Sequence, residues 1–147
     1  MFRYRLQTLL RYRKTVEEEA QRSLGAANRH ALAIAQRLGA LEREREAKMD
    51  EKRARIGQID NAAMLALYDN FFRGSSHDAW EERARKRQAD EIVEMERQKL
   101  VEAMKGRKIL ESHRDLMKTR YDEDEQKKER MAADEMASVR FGRNLTS

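Results

Sequence analysis

Residues 71–78 have the sequence FFRGSSHD, and this segment decides how we expect the chain to fold. It holds a Gly-Ser-Ser cluster close to the midpoint of the 147 residues. Gly74 can end a helix in the left-handed conformation, and Asp78 with Glu81 three residues later has the spacing of a capping box. The segment therefore predicts a turn that ends one helix and begins the next.

On both sides of this segment, apolar residues recur in steps of three and four, as on one face of a helix. The first series includes Phe2, Leu6, Leu9, Arg13, Val16, Ala20, Ile34, Leu38 and Leu41; the second includes Val93, Leu100, Ala103, Leu110, His113, Met117 and Tyr121. A short connection between two such helices favours antiparallel packing. We therefore predict an all-α fold in which two long helices form an antiparallel coiled-coil hairpin, with both termini at one end.

The predicted organisation is one domain over residues 1–147. Its parts are a helix at about 2–72, a turn at about 73–77, a helix at about 78–140 and a frayed tail at 141–147. The composition agrees with long helices, because 40% of the residues are charged and none is proline, whereas ordinary globular domains have about 25% charged residues and about 5% proline. Charged residues at Arg45, Lys48 and Lys52 interrupt the first series, so the predicted core is thin.

The composition and spacing argue against an enzyme. The chain has no cysteine, so it offers no thiolate nucleophile and no zinc-finger ligands, and a reducing cytoplasm is the expected compartment. It contains no phosphate-binding glycine motif, and its three histidines are too far apart for a metal site. A two-helix hairpin also lacks the enclosed cavity that catalysis requires. We expect no catalytic residues, no metal, no cofactor and no small-molecule substrate.

Membrane insertion and nucleic-acid binding are also not expected. No apolar run approaches the roughly 18 to 20 residues of a membrane span. The basic segment 83–87, RARKR, lies between acidic residues at 81–82 and 90–91 that would repel phosphate. The charge of this segment is typical of a solvated helix surface.

Two regions have the composition of a partner-binding surface. Residues 1–14 contain four arginines and one lysine but no acid, and they would present a basic surface to an acidic partner. Around the predicted turn stand Tyr68, Phe71, Phe72 and Trp80, more aromatic rings than two helices can bury. Such rings either close the turn or contribute to an interface, where aromatic residues supply much of the binding energy.

Several segments resemble the bacterial flagellar export protein family FliJ. The resemblance lies in FRYRLQTLLRYR (2–13), EEEA (17–20), LGAA (24–27), YDNF (68–71), RKILE (107–111), Tyr121, Glu125, DEMA (134–137) and Arg140. It extends over nearly the whole chain. The resemblance implies a non-enzymatic, stalk-like component of the type III export apparatus, in the cytoplasm at the inner face of the cell membrane.

The resemblance also implies partners and the residues that would meet them. The implied partners are the hexameric flagellar export ATPase, the membrane export gate and the export chaperones. The ATPase would contact Phe2, Leu6, Leu9, Arg13, Met131, Met136 and Arg140. The gate would contact Tyr68, Phe71, Phe72 and Trp80. The alternatives are the equivalent stalk of a virulence type III secretion system and a structural or adaptor coiled coil with no role in secretion.

Overall fold

The computed structural model describes residues 1–58 and 61–146. Helix α1 spans Gln7–Arg55, a short 3-10 helix spans Ile56–Gln58, and helix α2 spans Ala62–Thr146. The two long helices pack against each other, and there is no strand among the described residues. The predicted all-α helical hairpin is confirmed.

The turn lies elsewhere than predicted. The connection follows Arg55 rather than Phe72, and residues 73–77 lie inside α2. The first helix is therefore shorter than the predicted 2–72, and the second is longer than the predicted 78–140 at both ends. The predicted frayed tail is helical as far as Thr146. Ile59 and Asp60, placed in the first helix by prediction, and Ser147, the end of the predicted tail, lie outside the described residues.

Asn61 caps the start of α2. Its side-chain Oδ1 accepts a hydrogen bond from the amide of Ala63 at 2.9 Å, and its carbonyl accepts one from the amide of Met64 at 3.1 Å. These bonds satisfy donors that the first turn of a helix leaves free, which is why Asn is favoured at this position. Asp78, the predicted cap, lies more than four turns further along the same helix.

The Gly-Ser-Ser cluster lies within α2, and its central residue, Ser75, belongs to the helix interface, whereas Gly74 and Ser76 are exposed. Ser75 and Ala79 are buried, and Glu82 and Ala89 continue the same face in helical steps. The Ser75 hydroxyl donates to the Phe72 carbonyl at 3.3 Å, within its own helix. Small side chains here face α1, so the cluster marks close packing and not a turn.

The chain divides into two compact units, and both helices run through each of them. Unit 1 contains Met1–Glu18 and the chain from Glu102 onward, and its buried residues are Leu10, Glu17 and Ala103. Unit 2 contains Glu19–Val101. The buried residues of unit 2 are Ile34 and Leu38 from α1 with Tyr68, Ser75, Ala79, Glu82 and Ala89 from α2.

The two chain ends do not meet in unit 1 as predicted. The Met1 ammonium donates to the Tyr121 hydroxyl at 2.8 Å, so the start of the chain lies beside the middle of this part of α2. Every residue from 126 to 146 is exposed. Helix α2, with 85 residues, is also much longer than α1, with 49.

Candidate partner-binding surfaces

The first six residues form a strap on α2. Residues 1–4 have no regular secondary structure, and Arg5 and Leu6 form a turn into α1 in which the Gln7 amide donates to the Tyr4 carbonyl at 3.2 Å. Residues 1–6 precede α1, and their exposure alternates: Phe2, Tyr4 and Leu6 are partly covered, while residues 1, 3 and 5 are exposed. Over residues 1–4, before the turn, this period of two is the pattern of an extended chain with one face against its support. The alternation of aromatic and basic residues in FRYR thus separates rings from charges.

Two tyrosines hold the strap in place. The rings of Phe2 and Tyr121 have centroids 5.6 Å apart and are tilted by 50°, next to the bond from the Met1 ammonium to the Tyr121 hydroxyl. The Tyr4 hydroxyl lies 2.7 Å from His113 Nδ1 and donates to the Leu110 carbonyl at 3.3 Å. The strap is therefore anchored at both ends.

A groove of about 880 Å³ opens between the strap and α2. Its apolar lining comes from Phe2, Leu6, Met117 and Tyr121, among others, and its charged lining is Arg3, Arg5, Arg120 and Asp124. The three arginines are exposed and form no ion pair within the described residues. The groove therefore combines an apolar floor with free cationic groups.

A charged cluster holds α1 to α2 in the same unit. The Arg107 guanidinium donates to Glu17 through Nε and to Glu111 through Nη1 at 2.8 Å. These hydrogen bonds, first that to Glu17 and then that to Glu111, raise the pKa of Arg107. Because Glu17 is only 8% exposed, the cluster contributes to packing and is not available to a partner.

The predicted ATPase-binding residues fall into three groups in unit 1. Phe2 and Leu6 lie together in the groove. Leu9 is partly exposed, and the Arg13 side chain lies over Gly106, where an added Cβ would meet its Cδ at 3.4 Å. Met131, Met136 and Arg140 lie on the exposed part of α2, which we call the C-terminal helix segment, residues 126–146.

Sequence analysis missed three apolar residues of the C-terminal helix segment. Val139, Phe141 and Leu145 are all more than half exposed. Phe141 and Leu145 stand four residues apart, a helical spacing that signals one face. The signal was overlooked because residues 141–147 were expected to be frayed.

The aromatic residues predicted to bind the gate are split by the fold of unit 2. Tyr68 is buried, and Phe71 and Phe72 are partly covered, with ring centroids 5.4 Å apart in an edge-to-face arrangement. Lys48 Nζ lies 5.9 Å from the centroid of the Phe71 ring, and Lys52 Nζ lies 5.8 Å from that of Phe72. These rings therefore pack against α1.

Trp80 does not belong to that cluster. It is 62% exposed and lies about five turns into α2, where its ring stacks on His77 with centroids 6.3 Å apart. His77 Nε2 in turn lies 3.1 Å from a Glu81 carboxylate oxygen. The structure thus brings together three of the four predicted aromatics and leaves Trp80 on the surface.

An ionic network surrounds the end of α1 in unit 2. A Glu51 carboxylate oxygen lies 3.1 Å from Lys48 Nζ, and the other lies 3.4 Å from Arg55 Nη1. The hydrogen bond from Lys48 is the main cause that lowers the pKa of Glu51, with further contributions from Arg55 and Tyr68. The network joins the last turns of α1 to the first turns of α2.

Exposed apolar residues also surround the turn, and sequence analysis did not select them. They are Ile56, Met64, Leu65 and Leu67, and we call them the tip surface. Leu67 also lines a small cavity of about 290 Å³ with Lys48, Tyr68 and Phe71. The displaced turn explains the omission, since the prediction places these residues in the last quarter of the first helix, at about 2–72.

No helix in the described ranges 1–58 and 61–146 has the length and apolar character needed to cross a membrane.

Comparison with known proteins identifies the family. Searches of curated proteins and of solved structures found no match. A family model described as "Flagellar FliJ protein" matches residues 1–146. The long helical hairpin and this match over almost the whole chain together show that the protein belongs to the FliJ family of flagellar export proteins.

Proposed function

We propose that this chain is the stalk-like component that binds the hexameric flagellar export ATPase, promotes its assembly and activity, and links it to the membrane export gate and to export chaperones. It would act in the cytoplasm at the inner face of the membrane, as a non-enzymatic component. The observation that carries the proposal is the C-terminal helix segment, a helix of 21 residues with every side chain exposed. Exposed apolar surface of this extent is typical of a binding site.

The distribution of apolar residues on this segment supports a partner that surrounds it. At about 100° per residue, Phe141 and Leu145 lie on one side of the helix, while Met136 and Val139 lie on roughly the opposite side. A single flat partner surface could cover only one of these sides. A ring that accepts the helix into its central opening could cover both.

The charges of the two terminal regions suggest different contributions to binding. Residues 131–146 contain two acids and two arginines, so their formal charge is balanced. Residues 1–14 contain only basic charges. We therefore assign affinity to apolar burial on the C-terminal helix segment, and attraction of acidic groups on the ATPase to the start of the chain, including Arg13.

The gate would be bound by unit 2. The tip surface and the partly covered rings of Phe71 and Phe72 form one candidate contact, and exposed Trp80 forms another. Trp is enriched among residues that dominate binding energy. Chaperones complete the set of proposed partners, and competition between gate and chaperone would show whether they share a surface.

The test is ATP hydrolysis by the cognate flagellar export ATPase, with and without this protein, at several salt concentrations. We expect stimulation together with hexamer formation. Phe141→Asp combined with Leu145→Asp should abolish stimulation, whereas Leu32→Asp, at an exposed leucine in unit 2, should leave it unchanged. A helical protein that neither binds nor stimulates the ATPase would contradict the proposal and favour an adaptor function.

A further inference from the structure

We propose that the groove between the strap and α2 is a docking site for an extended acidic segment of the export ATPase, in which acidic residues alternate with apolar ones. This inference rests on the proposed function for the identity of the partner. The site itself is inferred from the lining, the charge and the backbone of the strap.

The charge of the groove requires an anionic occupant. Arg3, Arg5, Arg120 and the Met1 ammonium carry four positive charges, against one negative charge on Asp124. The three guanidinium groups have no ion-pair partner within residues 1–58 and 61–146. Guanidinium groups bind carboxylates in paired hydrogen bonds, so Glu and Asp side chains fit this surface.

The apolar lining requires that the occupant also carry apolar side chains. Phe2, Leu6, Met117 and Tyr121 are all only partly covered by the rest of unit 1. A purely acidic peptide would leave these surfaces in contact with water. An occupant with apolar residues on one face and acidic residues on the other would match both the floor and the arginines.

The backbone of the strap favours an extended occupant over a helical one. Among the described residues, the strap's backbone hydrogen bonds join the amides of Gln7 and Leu10 to the carbonyls of Tyr4 and Leu6, and the Phe2 and Arg3 peptide groups have no such partner. Free peptide groups on an extended segment can pair with another extended chain, as in strand addition. The alternating apolar and acidic side chains of the occupant would then lie beside the alternating aromatic and basic side chains of the strap.

The position of the groove favours the ATPase as the source of the segment. Asp124, at the edge of the groove, lies two residues before the C-terminal helix segment that we propose enters the ATPase ring. A partner on that helix segment is therefore close enough to supply a second contact. Two linked contacts strengthen each other through effective concentration.

The first experiment uses the full chain and a fluorescently labelled peptide in which Glu alternates with Leu, compared with a matched Gln–Leu peptide. The Glu–Leu peptide should bind and weaken as salt rises, and the Gln–Leu peptide should bind less tightly. Arg3→Glu with Arg120→Glu should weaken Glu–Leu binding by about tenfold, because two attractive charges become repulsive. Arg22→Glu with Arg87→Glu, at two exposed arginines of unit 2, changes the net charge equally outside the groove and should have little effect.

A second pair of variants tests the floor of the groove. Tyr121→Ala should weaken peptide binding, whereas Tyr12→Ala, at an exposed tyrosine outside the groove, should not. Circular dichroism of each variant confirms that helix content is retained. Equal binding of the Glu–Leu and Gln–Leu peptides, or equal loss in groove and control variants, would overturn the proposal.

Binding to the ATPase separates this inference from the proposed function. If groove variants weaken ATPase binding and Phe141→Asp with Leu145→Asp weakens it independently, both stand. If the groove variants bind and stimulate the ATPase normally, the docking site is refuted while the proposed function stands. If the peptide binds in the groove but the ATPase does not bind at all, the proposed function and the partner both fail. Binding to phosphatidylglycerol vesicles without peptide binding would refute the proposal that a peptide segment occupies the groove, and it would indicate a membrane contact instead.

Discussion

Leu9 and Leu10 are adjacent residues of the same type, and truncating each to alanine tests the packing of unit 1. Leu10 is 0% exposed and is the one large side chain fully buried in the described residues, while Leu9 is 39% exposed. Both substitutions remove the same atoms from the same turn of α1. Any difference in stability therefore reports the orientation of the helix and not its intrinsic propensity.

The expected cost follows from burial. Leu10→Ala removes three carbon atoms, which at about 0.8 kcal/mol per buried CH₂ corresponds to about 2.4 kcal/mol. The cavity that remains adds to this, so we expect a loss of about 3 kcal/mol. Leu9→Ala loses only the covered part of the same surface and leaves no enclosed cavity, so we expect about 1.5 kcal/mol.

Hydrogen exchange of amides in residues 7–18 and 102–121 is the measurement, because it reports opening of unit 1 directly. A loss of about 3 kcal/mol would speed exchange through that opening by about a hundredfold, against about tenfold for Leu9→Ala. Urea unfolding followed by circular dichroism gives an independent value. Equal losses in the two variants, or a larger loss for Leu9→Ala, would refute the burial assigned to Leu10.

Three other changes test the charged clusters and the position of the turn. Arg107→Gln should lower the thermal midpoint, because Glu17 loses its partner while remaining buried. Arg107→Lys should recover part of this loss. An unchanged midpoint in Arg107→Gln would show that the cluster does not stabilise unit 1. Because the pKa of Glu51 is lowered below its ordinary 4.5, its stabilisation is present above that pH and is lost as the pH falls through the lower folded value. The melting difference between wild type and Glu51→Gln should therefore shrink on acidification, and a constant difference would contradict this account. Gly74→Ala should stabilise the protein by about 0.5–1 kcal/mol, because an exposed glycine inside a helix is replaced by a better helix former with nothing within 4 Å of its new Cβ; destabilisation would restore the turn to residues 73–77.

The helical period predicted the hairpin and much of its interface, but it failed at the start of the chain. Ile34 and Leu38 of the first series are buried, and Ala103 of the second is buried. At the N-terminus, the series that begins at Phe2 selected Leu9 instead of Leu10. The reason is that residues 1–6 are not helical, so the phase of the helix begins at Gln7 and cannot be counted from Phe2.

The position of the turn depended on a choice between two local signals. Gly74 with Ser75 and Ser76 resembles a helix end, and so does Gly57 followed by Asn61. Local propensity does not separate them, because a small residue such as serine also allows two helices to pack closely. Only the pairing of α1 with α2 shows that Ser75 is needed in the interface while Asn61 is free to cap.

The charged interruption at Arg45, Lys48 and Lys52 has its explanation in the opposite helix. When each series is considered alone, these residues weaken the core. In the folded hairpin, Lys48 and Lys52 lie over the rings of Phe71 and Phe72, and Arg45 Nη2 donates to the Ser76 hydroxyl at 2.9 Å. Aromatic rings in α2 therefore accept the cations that interrupt α1. If the turn lay at 73–77, Phe71 and Phe72 would belong to the same helix as Lys48 and Lys52. The sequence prediction therefore could not pair these cations with rings of the opposite helix. The position of the turn in the structure thus converts the weakest part of the predicted core into specific contacts.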